Sequence, residues 1–297
     1  MQRSFKVAGI GELLWDLLPQ GKQLGGAPFN FAFHAFQSGC QPYVVSAIGS
    51  DMPGEEIISR FDEFGLDKSY VQQITDCPTG TVTVSLGKNG IPSYIIHEGV
   101  AWDYIHWNTS LELLAKTLDA VCFGSLAQRN QISGDTIINF LKATKQDCLR
   151  VFDINLRQSF YTHEIIKRSL DLSSILKLND DELPVLANLF GINGSVDEQL
   201  DILLKQFNLK LIALTKGEKG SILFTQNEKS VLEAPAVKVV DTVGAGDSFT
   251  AILIAGLLQN AELHKIHHTA IQAAAFVCTQ NGATPKLPDA ILKFKKY

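Results

Sequence analysis

Six short apolar runs set the frame within which this chain can fold: Phe5–Gly9, Tyr43–Gly49, Ala120–Gly124, Val151–Ile154, Ile175–Leu178 and Leu211–Thr215. Each is continuous rather than alternating. That is the pattern of a strand buried on both faces, as in a parallel sheet covered by helices. Helical patterns fall between them at Phe29–Gln37, Glu55–Phe64, Leu111–Thr117, Asp135–Lys145 and Val196–Phe207, and two more follow at Asp247–Gln259 and His264–Thr279. Strand, helix, strand repeated in this way builds right-handed βαβ units. The expectation is an α/β fold with a doubly wound, mostly parallel sheet flanked by helices. Residues 1–297 read as one domain, because neither a repeat nor a Pro/Gly/Ser-rich linker divides them.

Composition removes several classes of function. A chain with 45% hydrophobic residues has enough apolar surface to bury, which excludes disorder as its main state. The 26 Lys+Arg against 31 Asp+Glu leave a net charge of −5, without the basic footprint of a nucleic-acid or anionic-membrane binder. The best apolar run, Phe249–Leu258, is half the roughly 20 residues that span a bilayer. Glu12 and Asp16 interrupt the place where a signal peptide would be apolar. The five cysteines are scattered and form no C-x-x-C pair, so a reduced, cytoplasmic setting is expected.

One region departs from the α/β rhythm. Thr79–Leu86 and Ile91–His97 alternate polar and apolar residues around a Lys88-Asn89-Gly90 turn signal. The pair reads either as an ordinary edge hairpin or as a flap over the sheet, joined by the segment near Leu13–Leu24. The insertions span about 12–24 and 78–103.

The chemistry concentrates in Asp241-Thr-Val-Gly-Ala-Gly-Asp247, which runs directly into an apolar helix. Gly244 and Gly246 let the backbone fold tightly, so that several N–H groups at a helix start point at one spot. The helix dipole favours an anion there. Asp247 stands beside that spot, where a carboxylate can take a proton from a hydroxyl; the plain alternative is an Asp-capped helix after a glycine turn. No Walker A loop is present, and Gly9-Ile-Gly11 is followed by Glu12-Leu-Leu14, which breaks a dinucleotide fingerprint. A phosphate would therefore have to bind at the Gly244–Asp247 turn.

Two segments more than 200 residues apart carry a resemblance. Gly25-Gly26-Ala-Pro-Phe-Asn30 and Asp241-Thr-Val-Gly-Ala-Gly-Asp247 resemble the two signatures of the ribokinase/PfkB family of sugar kinases, over essentially the whole chain. With Gly-Glu-Leu-Leu-Trp-Asp16, the first looks most like bacterial fructokinases. The resemblance implies a ribokinase-like fold, with the Thr79–His97 hairpin as a small β-sheet lid. It implies Asp247 as the catalytic base and Gly244, Ala245, Gly246 and Asp247 as the anion hole. Asp16, Gly26 and Asn30 match residues that hold the sugar. Asn179 and Glu182 match the N-x-x-E motif associated with Mg²⁺ and the nucleotide phosphates, with Glu182 on the metal side, although Asn179 and Glu182 also have the spacing of a capping box. Thr215 and Gly217 match a turn along the ATP. Arg157, in Asp153-Ile-Asn-Leu-Arg157, matches a phosphate contact, and a structural ion pair is its alternative. Asp241 and the Thr279–Ala283 loop sit where the family holds a monovalent cation, K⁺.

The implied activity is transfer of the ATP γ-phosphoryl group to an unphosphorylated sugar, fructose first, because Gly25–Asn30 brings no cation for a sugar phosphate. Kinases of ribose, 2-keto-3-deoxygluconate, a nucleoside or a sugar phosphate are alternatives, as is a non-catalytic sugar-binding regulator. Lid strands pair between subunits in this family, and the alternating Thr81–Leu86 strand permits a homodimer without requiring one. His264, His267 and His268 lie at helical spacing, and a solvated face is expected for them rather than a metal site. Core packing is the default for Trp15, Trp102 and Trp107, and Trp102, just after the hairpin, is the one placed to stack on a sugar instead. At the ordinary carboxylate pKa of about 4, weakened further by the helix dipole, Asp247 would take its proton late in the reaction.

Overall fold

The computed structural model describes residues 4–18, 21–86 and 92–292, with side chains throughout except in the strand ends 84–86 and 92–94. Among these residues the strands are β1 (Lys6–Ile10), β2 (Leu14–Leu18), β3 (Gly21–Gly25), β4 (Gln41–Gly49), β5 (Val71–Ile74), β6 (Gly80–Leu86) and β7 (Pro92–Ile96). They continue as β8 (Ala120–Phe123), β9 (Leu149–Asp153), β10 (Ile175–Asn179), β11 (Leu211–Thr215), β12 (Ser221–Phe224) and β13 (Lys229–Leu232). The helices are α1 (Ala27–Gln37), α2 (Met52–Phe64), α3 (Thr109–Ala115), α4 (Gln131–Ala143) and α5 (His163–Leu172). After them come α6 (Glu182–Phe190), α7 (Val196–Gln206), α8 (Ala245–Leu258), α9 (Leu263–Cys278) and α10 (Asp289–Leu292).

The large sheet runs β13-β12-β11-β10-β9-β8-β1-β4-β5. All six apolar runs of the sequence form its centre, and every pairing from β4 through β11 is parallel. One face is covered by α1, α8 and α9, whose Phe31, Phe249, Ile252 and Ile266 share a buried cluster with Val7 and Val151. The other carries α4, α6 and α7 against Val121, Phe152 and Leu176. The α/β, doubly wound expectation is met. The strands outside the six apolar runs lie mostly at the margins: β5 extends the sheet beside β4, while β12 and β13 are antiparallel.

The second sheet, β3-β2-β6-β7, is small and separate, and joins the Leu13–Leu24 segment to the hairpin. Trp15 of β2 packs with Phe29, Phe61 and Leu24, so the small sheet is fastened to α1 and α2. The turn expected at Lys88-Asn89-Gly90 lies outside the described residues. Among the described residues no helix is long and apolar enough to cross a membrane.

The chain order reverses at β1, which lies between β4 and β8. A crevice opens at such a point beyond the carboxyl ends of the strands, and it is where open α/β sheets take their ligands. A cavity of about 10 Å³ lies here, lined by Ala27, Pro28, Gly124, Asp153 and Asp247 among others.

The three histidines of α9 do not share a solvated face. His264 and His268 are exposed, but His267 is fully buried. Its ring bridges the Ser221 hydroxyl at 2.8 Å through Nε2 and the Ser230 hydroxyl at 2.8 Å through Nδ1, tying α9 to β12 and β13. Burial, with the neighbouring His264 and His268, pushes its pKa down from 6.5 to about 4. The buried ring must be neutral, so the stability it confers is complete above pH 6.5 and lost as pH falls towards 4. The full effect is on the order of 3 kcal/mol. In denaturant titrations His267→Gln is expected to flatten the loss of stability between pH 6.5 and 4; an unchanged slope would contradict the buried neutral ring.

Candidate active site

The site begins with the entry into α8. Gly244 caps the helix in the left-handed region at φ 79°, and a methyl group there would stand 2.5 Å from the Ala283 carbonyl oxygen, so only glycine fits. Asp241 fixes this turn: its Oδ1 accepts the Val243 N–H at 3.0 Å and its Oδ2 the Gly282 N–H at 3.2 Å. The segments on which the resemblance places a monovalent cation are thus joined through Asp241. At Gly246 a methyl group would meet the Lys177 ammonium at 2.8 Å. The start of α8 is a cradle of backbone donors with a buried cation beneath it, the chemistry of an anion site.

Lys177 is the residue that the sequence reading missed. It sits in β10 between Leu176 and Leu178, with only 7% of its surface exposed. Its ammonium pairs with Asp153 Oδ1 at 3.0 Å, and Asp153 Oδ2 accepts the Thr250 hydroxyl of α8 at 3.1 Å. Burial alone would lower the Lys177 pKa, but Asp153, Glu182 and Asp247 raise it, so the ammonium stays charged. A charge inside an apolar strand run was the available signal.

Asp247 lies in the first turn of α8 and meets Asn30 of α1 across 217 residues of sequence: Asn30 Nδ2 donates to Asp247 Oδ2 at 2.8 Å. Asn30 is 3% exposed, and its Oδ1 is buried without a partner among the described residues. The carboxyl is not weakened by the helix dipole as the sequence suggested. Burial first, and the Asp153 charge after it, push its pKa up from 3.8 to about 6, against the lowering pull of Asn30, Lys177 and Arg157. Desolvation outweighs the dipole here.

Asp16 of β2 lies against Gly25, where a methyl group would collide with its Oδ2, and burial raises its pKa to about 6 while Arg157 pulls it down. Gly26, at φ 109°, has its backbone pressed on the Glu12 carbonyl. Glu12 was given no role of its own by the sequence. It is 4% exposed, accepts the Ala27 N–H at 3.3 Å through Oε1, and leaves Oε2 buried without a partner among the described residues. Burial lifts its pKa to about 7, with a smaller push from Asp247 and a pull from Arg157. Arg157, itself exposed, therefore acts on Glu12, Asp16 and Asp247 together.

Asn179 and Glu182 form the capping box. Asn179 Oδ1 accepts the Asp181 and Glu182 N–H groups at 2.9 and 2.8 Å, and Glu182 Oε2 accepts the Asn179 N–H at 2.8 Å. The other Glu182 oxygen takes the Leu156 N–H at 2.9 Å, linking α6 to the Asp153–Arg157 segment. Burial raises the Glu182 pKa, offset by Lys177. Thr215 pairs in register with Asn179, and Gly217 follows in an exposed turn at φ 54°. These two border the site on the far side of β10; no described contact joins them to Asp247. Trp102 is 1% exposed and covered by Arg129, whose guanidinium lies 4.0 Å from its ring, rather than open for stacking.

Among the described residues no group of three or more His, Cys, Asp or Glu side chains is arranged to hold a metal ion. The carboxylates present fit Mg²⁺ bound by one or two acids together with substrate phosphates, rather than in an all-protein cage. The glycine cradle above Lys177 fits the phosphates themselves. Replacing Asn30 with Ala removes a donor that lowers the Asp247 pKa. Carboxyl-carbon NMR titration is expected to find Asp247 of Asn30→Ala titrating above its value of about 6 in the intact protein; an unchanged or lower midpoint would contradict the contact.

Comparison with known proteins gives a consistent picture. The pfkB family carbohydrate kinase pattern matches residues 19–290. A sugar kinase of Pyrococcus horikoshii is 30% identical over 314 residues, covering 98% of this chain and 96% of its own. The crystal structure of that kinase in complex with ATP superposes with a TM-score of 0.81 at 27% identity, covering 94% of each chain. The fructokinase of Rhizobium leguminosarum bv. trifolii is 30% identical over 291 residues, covering 93% of this chain and 86% of its own. The fold is also that of a Vibrio cholerae fructokinase double mutant crystallised with fructose, ADP and a potassium ion, with a TM-score of 0.80, 24% identity and 97% of each chain covered.

Proposed function

The chain belongs to the pfkB family of carbohydrate kinases, and on that premise we propose that it transfers the γ-phosphoryl group of ATP to a hydroxyl of an unphosphorylated sugar, with fructose the favoured substrate. The observation that carries this reading is the Asn30–Asp247 hydrogen bond. It joins the Gly25–Asn30 segment, proposed to hold the sugar, to the turn proposed to hold the phosphates. Asp16, Gly26 and Asn30 hold the sugar hydroxyls, and the buried, unpartnered Asn30 Oδ1 supports a polar ligand beside it. The backbone donors of Gly244, Ala245, Gly246 and Asp247, above the Lys177 ammonium, face the transferring group. Arg157 reaches the phosphate oxygens, and Asn179, Thr215 and Gly217 line the nucleotide.

Phosphoryl transfer needs positioning and charge stabilisation more than covalent help from the protein. Asp247 orients the attacking hydroxyl through its carboxylate and accepts the proton as the oxygen bonds to phosphorus. Its raised pKa makes it a better base than an ordinary aspartate. Glu182 would hold Mg²⁺ together with the phosphates, and the ion would supply further neutralisation of their charge. A K⁺ site formed by Asp241 and the Thr279–Ala283 loop would sit beside the anion hole, supported by the two hydrogen bonds that fix Asp241 there. The small sheet excludes water that would otherwise accept the phosphoryl group. Exposed Leu17 and Ile95 on that sheet support its pairing with a second copy of the chain.

A coupled ADP-release assay with fructose, ribose, 2-keto-3-deoxygluconate, adenosine and fructose 6-phosphate tests the reading. Fructose is expected to give the highest kcat/KM; a different sugar in that place overturns the fructose assignment, and no turnover with any of them overturns the kinase reading for this panel. Asp247 must be ionised to accept the proton. The kcat/KM is therefore expected to fall as pH drops below about 6. A flat profile down to pH 5 would remove Asp247 from the role of base.

A further inference from the structure

Arg129 lies outside the machinery described above, yet its guanidinium is almost fully committed. Its Nε donates to Asp103 Oδ1 at 2.8 Å, and its Nη2 donates to Asp103 Oδ2 at 2.9 Å and to the His97 carbonyl at 2.5 Å. The Trp102 ring centroid is 4.0 Å from its central carbon and that of Phe160 is 4.7 Å away. The side chain is 5% exposed and that of Asp103 is 3% exposed.

Each partner leads to a different part of the molecule. His97 follows β7 of the small sheet, and Asp103 and Trp102 lie in the Ala101–Tyr104 turn beyond it. Trp102 packs directly under Gly80 of β6, where a methyl group would collide with its indole nitrogen. Phe160 belongs to the segment that bears Arg157: its N–H donates to the Arg157 carbonyl at 3.1 Å. That segment also holds Asn155 and Gln158 in the left-handed region at φ 43° and 48°. Non-glycine residues keep such conformations only where their surroundings enforce them.

We propose that Arg129 is a positioning residue that couples the small sheet to the turn bearing Arg157, so that closing the sheet over a sugar and aiming Arg157 at the reacting groups are one event. The proposal rests on the sugar-kinase reading for its functional meaning and on the contacts for its mechanics. A buried ion pair is weak evidence for stability as such, since apolar residues fill the same volume at least as well. Arg129 Nη1 is moreover buried without a partner among the described residues, a cost that a merely structural pair need not carry. The contacts are also specific to arginine. A lysine supplies the charge, but not a planar fork that grips Asp103 and His97 while lying between two aromatic side chains.

The test uses Arg129→Lys and the double variant Arg129→Gln/Asp103→Asn, which removes both buried charges and so avoids stranding one of them. Each is made with Arg157 intact and with Arg157→Gln. Backbone hydrogen exchange followed by mass spectrometry reads the mechanics without reference to activity. Exchange in residues 155–160 is expected to rise at least tenfold in the double variant and less in Arg129→Lys. Steady-state kinetics read the coupling: the double variant is expected to lose at least tenfold in kcat/KM for the sugar, and much less once Arg157 is already Gln. Unchanged exchange at 155–160 overturns the proposal whatever the activity. So does a kinetic loss of the same size in both Arg157 backgrounds. A wild-type protein inactive on every sugar overturns the kinase reading instead, and the exchange measurement still decides the coupling.

Discussion

A single buried ammonium makes the rest of the site possible. Asp153, Glu182 and Asp247 are drawn into the crevice from β9, α6 and α8, and burial raises the pKa of Glu182 and of Asp247 there. Lys177 answers all three, paired directly with Asp153 and acting through the low-dielectric interior on the other two. A buried cation without partners would be as costly as the acids without it, so the arrangement holds only as a set. The Lys177 ammonium also lies directly under the glycine turn at the start of α8, where a cation favours an anion above it.

The fold places this set by its topology. The strand order reverses at β1, so the carboxyl ends of β1 and β8–β10 surround one crevice into which α1 and α8 both point their first turns. Asn30 and Asp247 meet there because α1 and α8 pack side by side on one face of the sheet. The small sheet brings Asp16 in from the opposite side. Asp247, the glycine turn, Asn30 and Asp16 thus come from segments spread over more than 200 residues. Arg157 is exposed, and it is the group whose placement the proposal ties to the turn that Arg129 braces.

The central strands were legible in the sequence because burial on both faces leaves a continuous apolar run. The strands β5 and β13 were not, because they carry exposed or half-buried positions, as in Val71-Gln-Gln-Ile74, and β12 was not because its apolar run, Ile222–Phe224, is only three residues long. The helix α5 was hidden by its charged composition, and α6 by a start that reads equally as a cap or as a ligand motif; the structure keeps the cap and leaves the ligand role to experiment. Asp247, Asn30 and Gly244 could be named from two short motifs. Lys177, Glu12 and Arg129 could not, since each acts through partners distant in sequence, and a lone charge in an apolar run does not reveal what it faces. His267 was misread for a related reason: spacing puts three histidines on one side of a helix, but only packing decides which of them is buried.

The proposed transfer depends on Asp247 as a proton acceptor held by Asn30 over an anion cradle. Single-turnover transfer from bound Mg-ATP to the sugar, measured for wild type and Asp247→Asn alongside nucleotide affinity, addresses that claim most directly. The prediction is an affinity for Mg-ATP within about twofold of wild type and a transfer rate lower by at least 10²-fold, the range of a lost general base. Transfer at an undiminished rate in Asp247→Asn would contradict the account.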